Sequence, residues 1–171
     1  STLLPSGSMT NQVGVRVHCK PGDEFVCDVG CHIYNYEQGA FAQLSGVVAR
    51  TVEGKAGVLH VDQLRGLIRP ENDHLVRTRL VCLENTHNRG AGRVQPYEYV
   101  AEICSWAHEH GLRTHLDGAR LFNAVVATKI FVLVPLLVYA TLQATILFHA
   151  ILRPGRVLGT TALIGSVGIV I

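Results

Sequence analysis

No Asp or Glu follows Asp117 in this chain of 171 residues. Residues 1–128 hold 12 Lys or Arg against 13 Asp or Glu, a net of −1, while residues 129–171 hold three bases and no acid, a net of +3. That shift marks a composition boundary near Lys129. Lysine itself is scarce: Lys20, Lys55 and Lys129 are the whole supply. Aromatic residues make up 6% of the chain and there is no basic run, which excludes a nucleic-acid-binding surface. The five cysteines, Cys19, Cys27, Cys31, Cys82 and Cys104, include no CxxC pair. Their odd number argues against a disulfide framework and for a reducing compartment. The first residues lack the basic and long apolar regions of a signal peptide. Ser1 to Pro5 reads as the end of a strand, so an N-terminal truncation is expected.

What is present is an alternation of strand and helix. Residues 1–4 read as strand and Pro5 to Ser8 as a turn, followed by a helix over Met9–Cys19. Lys20-Pro21-Gly22-Asp23 is a turn and Glu24–Asp28 a short strand. A helix over Tyr36–Leu44, a strand at Val47–Ala49 and a short helix over Val61–Ile68 follow, the last stopped by Pro70. Arg79–Glu84 reads as a buried strand. Pro96–His110 is the clearest helix: Val100, Ile103, Cys104 and Ala107 recur at i, i+3, i+4 and i+7, and Gly111 sits at its C-cap. A strand over 112–117 and a helix over 118–127 complete the series. The expected fold is α/β, with a parallel, doubly wound sheet within residues 1–128.

Beyond Thr128 the text changes. Ile130 to Leu152 is 23 residues without a charge, about 35 Å as a helix against a bilayer core of about 30 Å. Residues 129–171 are therefore expected to form an apolar helical tail, with a membrane span over 130–152 and Arg153 and Arg156 on the cytoplasmic side. An altered reading frame, a retained non-coding stretch or a gene fusion is the expected origin of this tail.

Four polar blocks interrupt the apolar text: PSGSMTNQ (5–12), CHIYNYEQGA (31–40), LENTHNRGAGRV (83–94) and HLDGARLFNAVVA (115–127). Gly7 and Ser8 open a helix whose free N–H groups form an anion site, although an ordinary capped helix start reads the same way. His32 lies just past the first complete strand, where a surface loop histidine is the plain alternative. Cys27-x3-Cys31-His32 lacks a second ligand pair at zinc spacing, so no metal is expected. Glu84 to Asn88 ends a buried strand, where ligands gather in open α/β sheets. Asp117 ends the next strand, and Arg120 follows it by one helical turn; a helix-start ion pair is the plain alternative for these two.

Taken together, these blocks resemble the low-specificity L-threonine aldolases, fold-type-I enzymes dependent on pyridoxal phosphate, over roughly residues 1–128. The resemblance implies a partial cofactor-binding large domain of PLP-transferase type. It implies that Gly7 and Ser8 hold the cofactor phosphate, that His32 stacks on the pyridine ring and that Asp117 pairs with the ring nitrogen. Arg120 is implied near the cofactor and the substrate carboxylate, and His87 near the substrate side chain. The implied reaction is cleavage of L-threonine or L-allo-threonine to glycine and acetaldehyde. Either His32 or His87 would take the β-hydroxyl proton, a choice the residues leave open. A cytoplasmic homo-oligomer acting on an amino acid is implied, with membrane association only through the tail.

The family also carries its cofactor as a Schiff base on a lysine that follows a serine, on a strand beyond the Asp-bearing one. Lys129 falls 12 residues after Asp117 with no preceding serine, and Lys20 and Lys55 fall in turns outside the blocks. The alternative expectation is thus a catalytically inactive, truncated or membrane-tethered chain with a partial cofactor cradle.

Overall fold

The computed structural model describes residues 4–128 and 169–170. Its five strands are β1 (Asp23–Asp28), β2 (Val48–Val52), β3 (Arg77–Glu84), β4 (Arg113–Asp117) and β5 (Ile169–Val170). They lie in the order β2-β1-β3-β4-β5. The first three pairings are parallel, and the two residues of β5 run antiparallel to β4. The helices are α1 (Gly7–His18), α2 (His32–Asn35), α3 (Ala40–Ser45), α4 (Val61–Leu64), α5 (Tyr97–Glu109) and α6 (Leu121–Thr128).

Strand alternation builds two cores. Phe25 and Cys27 of β1 and Leu80 and Cys82 of β3 pack with Val15 of α1 on one face. Val26, Val81 and Leu83 pack with Ile103 and Ala107 of α5 and Leu64 of α4 on the other. Side chains two apart on a strand share a face, so a sheet covered on both sides needs apolar residues at nearly every position. Chain order then fixes the crevice. From β1 the chain goes outward to β2 and returns past β1 to β3, so the order reverses between β1 and β3. Ligand crevices in open parallel sheets form outside the carboxyl ends of strands at such a reversal.

The doubly wound parallel sheet is as expected, with local differences. Of the helix expected over 36–44, only α3 from Ala40 forms: α2 ends at Asn35 before that span, and Gly39, with a left-handed φ of 66°, caps the start of α3. Helix α4 stops at Leu64 rather than Ile68, where Leu67 N–H turns back to the Leu64 carbonyl and Gly66 has φ 78°. The helix expected from 118 begins at Leu121: Asp117 Oδ1 accepts the Ala119 N–H at 3.1 Å and makes a turn before it. Helix α1 begins earlier than expected, at Gly7, with Ser6 as N-cap accepting the Met9 N–H at 3.2 Å. The apolar helix expected over 130–152 lies outside the described residues, and what is described of the tail is the strand β5. Among the described residues no helix is long and apolar enough to cross a membrane.

Helix α1 is seated against the sheet by one glycine. A Cβ on Gly14 would lie 2.6 Å from the imidazole of His115 on β4. Only a hydrogen at that position lets the helix approach the ring, and the approach brings Asn11 over the end of β4.

Candidate active site

Four carboxylates crown the carboxyl edge of the sheet: Asp28 ends β1, Glu84 ends β3, Asp117 ends β4, and Glu37 follows α2. Asp28, Glu37 and Glu84 are buried and Asp117 is half-buried. A buried carboxylate persists only where donors surround it, and each has them.

One network joins α1, the loop after α2, and β4. The Asn11 amide nitrogen donates to Glu37 Oε1 at 2.7 Å and to Asp117 Oδ2 at 2.8 Å. Gln12 Nε2 donates to Glu37 Oε2 at 2.6 Å. With both amide protons of Asn11 committed, its Oδ1 must accept, so His115 Nε2 donates to it at 2.9 Å. Burial lowers the His115 pKa to about 4, which keeps this ring neutral. His32 Nδ1 stands 2.9 Å from Glu37 Oε1. A carboxylate accepts only, so Nδ1 carries the proton and Nε2 is left with a lone pair on a ring 35% exposed. Ligand atoms of His32, Glu37 and Asp117 lie within 4.8 Å of one another, close enough for a cation by spacing, with the Asn11 amide donating to both carboxylates.

Glu84 ties together the loops that follow β1 and β3. Its Oε2 accepts the His32 backbone N–H and its Oε1 the Asn88 N–H, both at 2.8 Å. Arg120 reaches back to the same loop. Its Nε donates to Thr86 Oγ1 at 3.1 Å, and one terminal nitrogen donates to the Thr86 carbonyl at 2.9 Å and to Glu84 at 3.4 Å. The helix-start ion pair, the plain alternative for Asp117 and Arg120, does not form: Arg120 links to Glu84 and Thr86 instead.

His87 is a strut. It is 3% exposed, its Nδ1 accepts the Gly90 N–H at 3.0 Å, and its Nε2 lies 2.9 Å from Asp28 Oδ1. The Asp28 contact raises the His87 pKa against the opposing effect of burial. Burial pushes Asp28 up, but His87 and the N–H groups of Gly54 and Gly30 outweigh it and hold the carboxyl below its ordinary value. Gly57 and Gly90 close over this ring, where a Cβ would collide with His87 or Ala56. Cys27 and Cys31, read with His32 for zinc spacing, pack instead into the apolar core beside Cys82. A hydrogen bond to Cys31, and then burial, push the Cys27 thiol far up.

The structure therefore brings His32 and Asp117 into one cluster. Gly7 and Ser8 sit one turn before Asn11 on α1, about 6 Å along the helix axis. His87 stands apart, set against Asp28. Sequence reasoning missed Asn11, Glu37 and Asp28 as members of the site, while Glu84 stood in the polar cluster read at the end of its strand. For Asp28 a carboxylate at the end of an apolar strand was the signal available; Asn11, on α1, and Glu37, after α2, carried no such signal.

A reversal crevice crowned by carboxylates on a parallel α/β sheet is the ligand-binding arrangement of doubly wound folds. The beta-eliminating lyase family model matches residues 2–134. A low specificity L-threonine aldolase of Escherichia coli (strain K12) is 40% identical over 126 residues, 73% of this chain and 37% of that protein. A probable low-specificity L-threonine aldolase of Arabidopsis thaliana is 41% identical over 129 residues, 73% of this chain and 36% of that protein. Among solved structures, a Leishmania major threonine aldolase superposes with a TM-score of 0.65 at 27% identity, covering 71% of this chain and 35% of that one. The chain belongs to the beta-eliminating lyase family. It spans about a third of the length of the curated relatives it matches.

Proposed function

We propose that this chain carries the cofactor cradle of a pyridoxal-phosphate-dependent carbon–carbon lyase that cleaves L-threonine or L-allo-threonine to glycine and acetaldehyde. In this reading residues 1–128 are part of the cofactor-binding large domain, and the setting is cytoplasmic. The Asn11–Asp117–Glu37–His32 network carries the proposal. It supplies an oriented carboxylate and an oriented imidazole in one cleft, and relatives about 40% identical to this chain are named threonine aldolases.

The described residues fit the cofactor on three sides. Each oxygen of Asp117 has one donor, from Asn11 and from Ala119, and a carboxylate oxygen has lone pairs for another. A pyridinium N–H suits that vacancy. Gly7 and Ser8 offer the first N–H groups of a 12-residue helix, which suit a phosphate. The His32 ring suits the cofactor's face. Neither described lysine suits its aldehyde. The backbone N–H of Lys20 is bonded to Asp23 at the opposite edge of the sheet, and exposed Lys55 lies in the loop after β2, away from Asp117. The Schiff-base amine is therefore neither Lys20 nor Lys55.

Bound pyridoxal phosphate supplies an electron sink for the bond broken at the substrate's α-carbon. The chain's residues supply the rest. Asp117, held by Asn11, keeps a proton on the facing ring nitrogen. His32 takes the β-hydroxyl proton on Nε2, and the Glu37 carboxylate beside Nδ1 stabilises the positive charge that then develops on the ring. His87, 3% exposed and set against Asp28, is shut away from that task and instead positions the loop after β3. The terminal nitrogen of Arg120 left unbonded among the described residues is available to a substrate carboxylate.

The test is a pyridoxal phosphate titration followed by borohydride reduction and mass analysis. Saturable binding without a stoichiometric adduct at one lysine is expected. A single-site adduct at Lys20 or Lys55 accompanied by glycine release from threonine would overturn the assignment of the lysines.

A further inference from the structure

The opposite edge of the sheet bears the reverse charge. At the N-terminal ends of β1, β3 and β4, a cavity of about 350 Å³ is lined by His18, Lys20, Asp23, Arg77, Arg79 and Arg113. Four permanent cations thus share one carboxylate. That carboxylate is already committed, since Asp23 Oδ2 accepts the Lys20 backbone N–H at 2.8 Å and Oδ1 lies 4.0 Å from Arg79. The side chains of Lys20, Arg77 and Arg113 make no ion pair among the described residues. Residues 1–3, 129–168 and 171 contain no Asp or Glu, so they bring no side-chain carboxylate to the cluster. One further group is unsatisfied. His18 Nε2 is buried without a hydrogen-bond partner, although buried polar atoms in folded proteins are nearly always bonded. Burial, and then Arg113, lower the His18 pKa, so the ring is disfavoured as a further positive charge at the cavity wall.

We propose that this cavity is a binding site for a compact diphosphate group, at the far edge of the sheet from the pyridoxal phosphate cradle. A single carboxylate would leave most of the positive charge uncompensated. Arginine presents a planar fork that grips phosphate oxygens in pairs, and three arginines converge here. The volume equals roughly a dozen waters at about 30 Å³ each, enough for two linked phosphates. No aromatic ring lines the cavity apart from the His18 imidazole, so a nucleoside has no stacking platform. The diphosphate is the recognised part, whether inorganic or carried by an organic group.

The probes are inorganic diphosphate and adenosine diphosphate, titrated into the full chain saturated with pyridoxal phosphate, by calorimetry and by the ring resonances of His18. The comparison protein is the double variant Arg77→Ser, Arg113→Ser. Both positions are exposed, and their removal relieves repulsion, so the variant is expected to melt at a higher temperature than the parent without anion. One saturable site is expected for each probe with similar affinity, a shifted His18 resonance, and a diphosphate-induced rise in Tm that the variant lacks. Binding weaker by about tenfold or more is expected in the variant and unchanged binding in Ser8→Ala, which touches only the other anion site. Three results would each overturn the proposal: no saturable change at His18 at millimolar diphosphate, equal binding by the variant, or equal displacement by chloride, which marks an adventitious ion only.

Discussion

Gly14 shows how a single hydrogen sets the site. In an exposed helix, Gly→Ala would add up to about 1 kcal/mol of stability from propensity. Here the new Cβ would stand 2.6 Å from the His115 ring, and overpacking of this kind costs about 1–3 kcal/mol. Gly14→Ala is thus expected to lower the denaturation midpoint and to weaken pyridoxal phosphate binding, because Asn11 moves with α1. Urea unfolding and a cofactor titration on the same variant check both. His115 adds a pH signature. Its folded pKa of about 4 lies below the ordinary 6.5, so the unfolded chain binds the extra proton between those values. Stability from this residue is fully present above about pH 6.5 and lost as pH falls toward 4. Unfolding free energies measured across that range should slope more steeply for the parent than for His115→Gln; equal slopes would place the acid sensitivity elsewhere.

The loops after β1 and β3 are held by Glu84, which accepts one backbone N–H from each. Glu84→Ala would orphan the N–H groups of His32 and Asn88 and free Arg120, at about 1.5–3 kcal/mol for each charged hydrogen bond. Amide exchange at His32 and Asn88 should quicken while that of Val81 in β3 does not; uniform quickening would mean global unfolding instead. The Asp28–His87 contact stabilises the same loops within a pH window. Asp28, with its lowered pKa, contributes above the ordinary carboxylate range and loses that contribution as pH falls through its folded value. His87, with its raised pKa, contributes below 6.5 and loses it as pH rises through its folded value. These elements also show what sequence could reveal. Strands β1 and β3 were legible because sheets covered on both faces need continuous apolar runs, and α5 because its apolar period is 3.6. The start of α3 after Gly39 and the start of α6 were not legible, since both turn on a local φ or an aspartate turn that no periodicity records. Asp117 and His32 could be named from their blocks. Glu37 and Asn11 could not, because their importance lies in hydrogen bonds spanning 26 and 106 residues.

At the scale of the molecule, the sheet is polarised: carboxylates and an imidazole crown the carboxyl edge, and arginines gather at the other. The reversal of chain order between β1 and β3 puts the crevice where the carboxylates stand, and the family match accounts for the four blocks together. The cradle and the source of the covalent amine are separable, because the Asp117 network forms without Lys20 or Lys55 among its members. The most direct measurement is a pyridoxal phosphate titration of the parent chain beside Asp117→Asn and Lys20→Ala, Lys55→Ala, followed by absorbance and equilibrium dialysis. One saturable site is expected in the parent, unchanged affinity in the lysine variant, and a loss of about tenfold or more when the carboxylate is replaced. Equal binding by Asp117→Asn, or binding abolished by removal of the two lysines, would contradict the account.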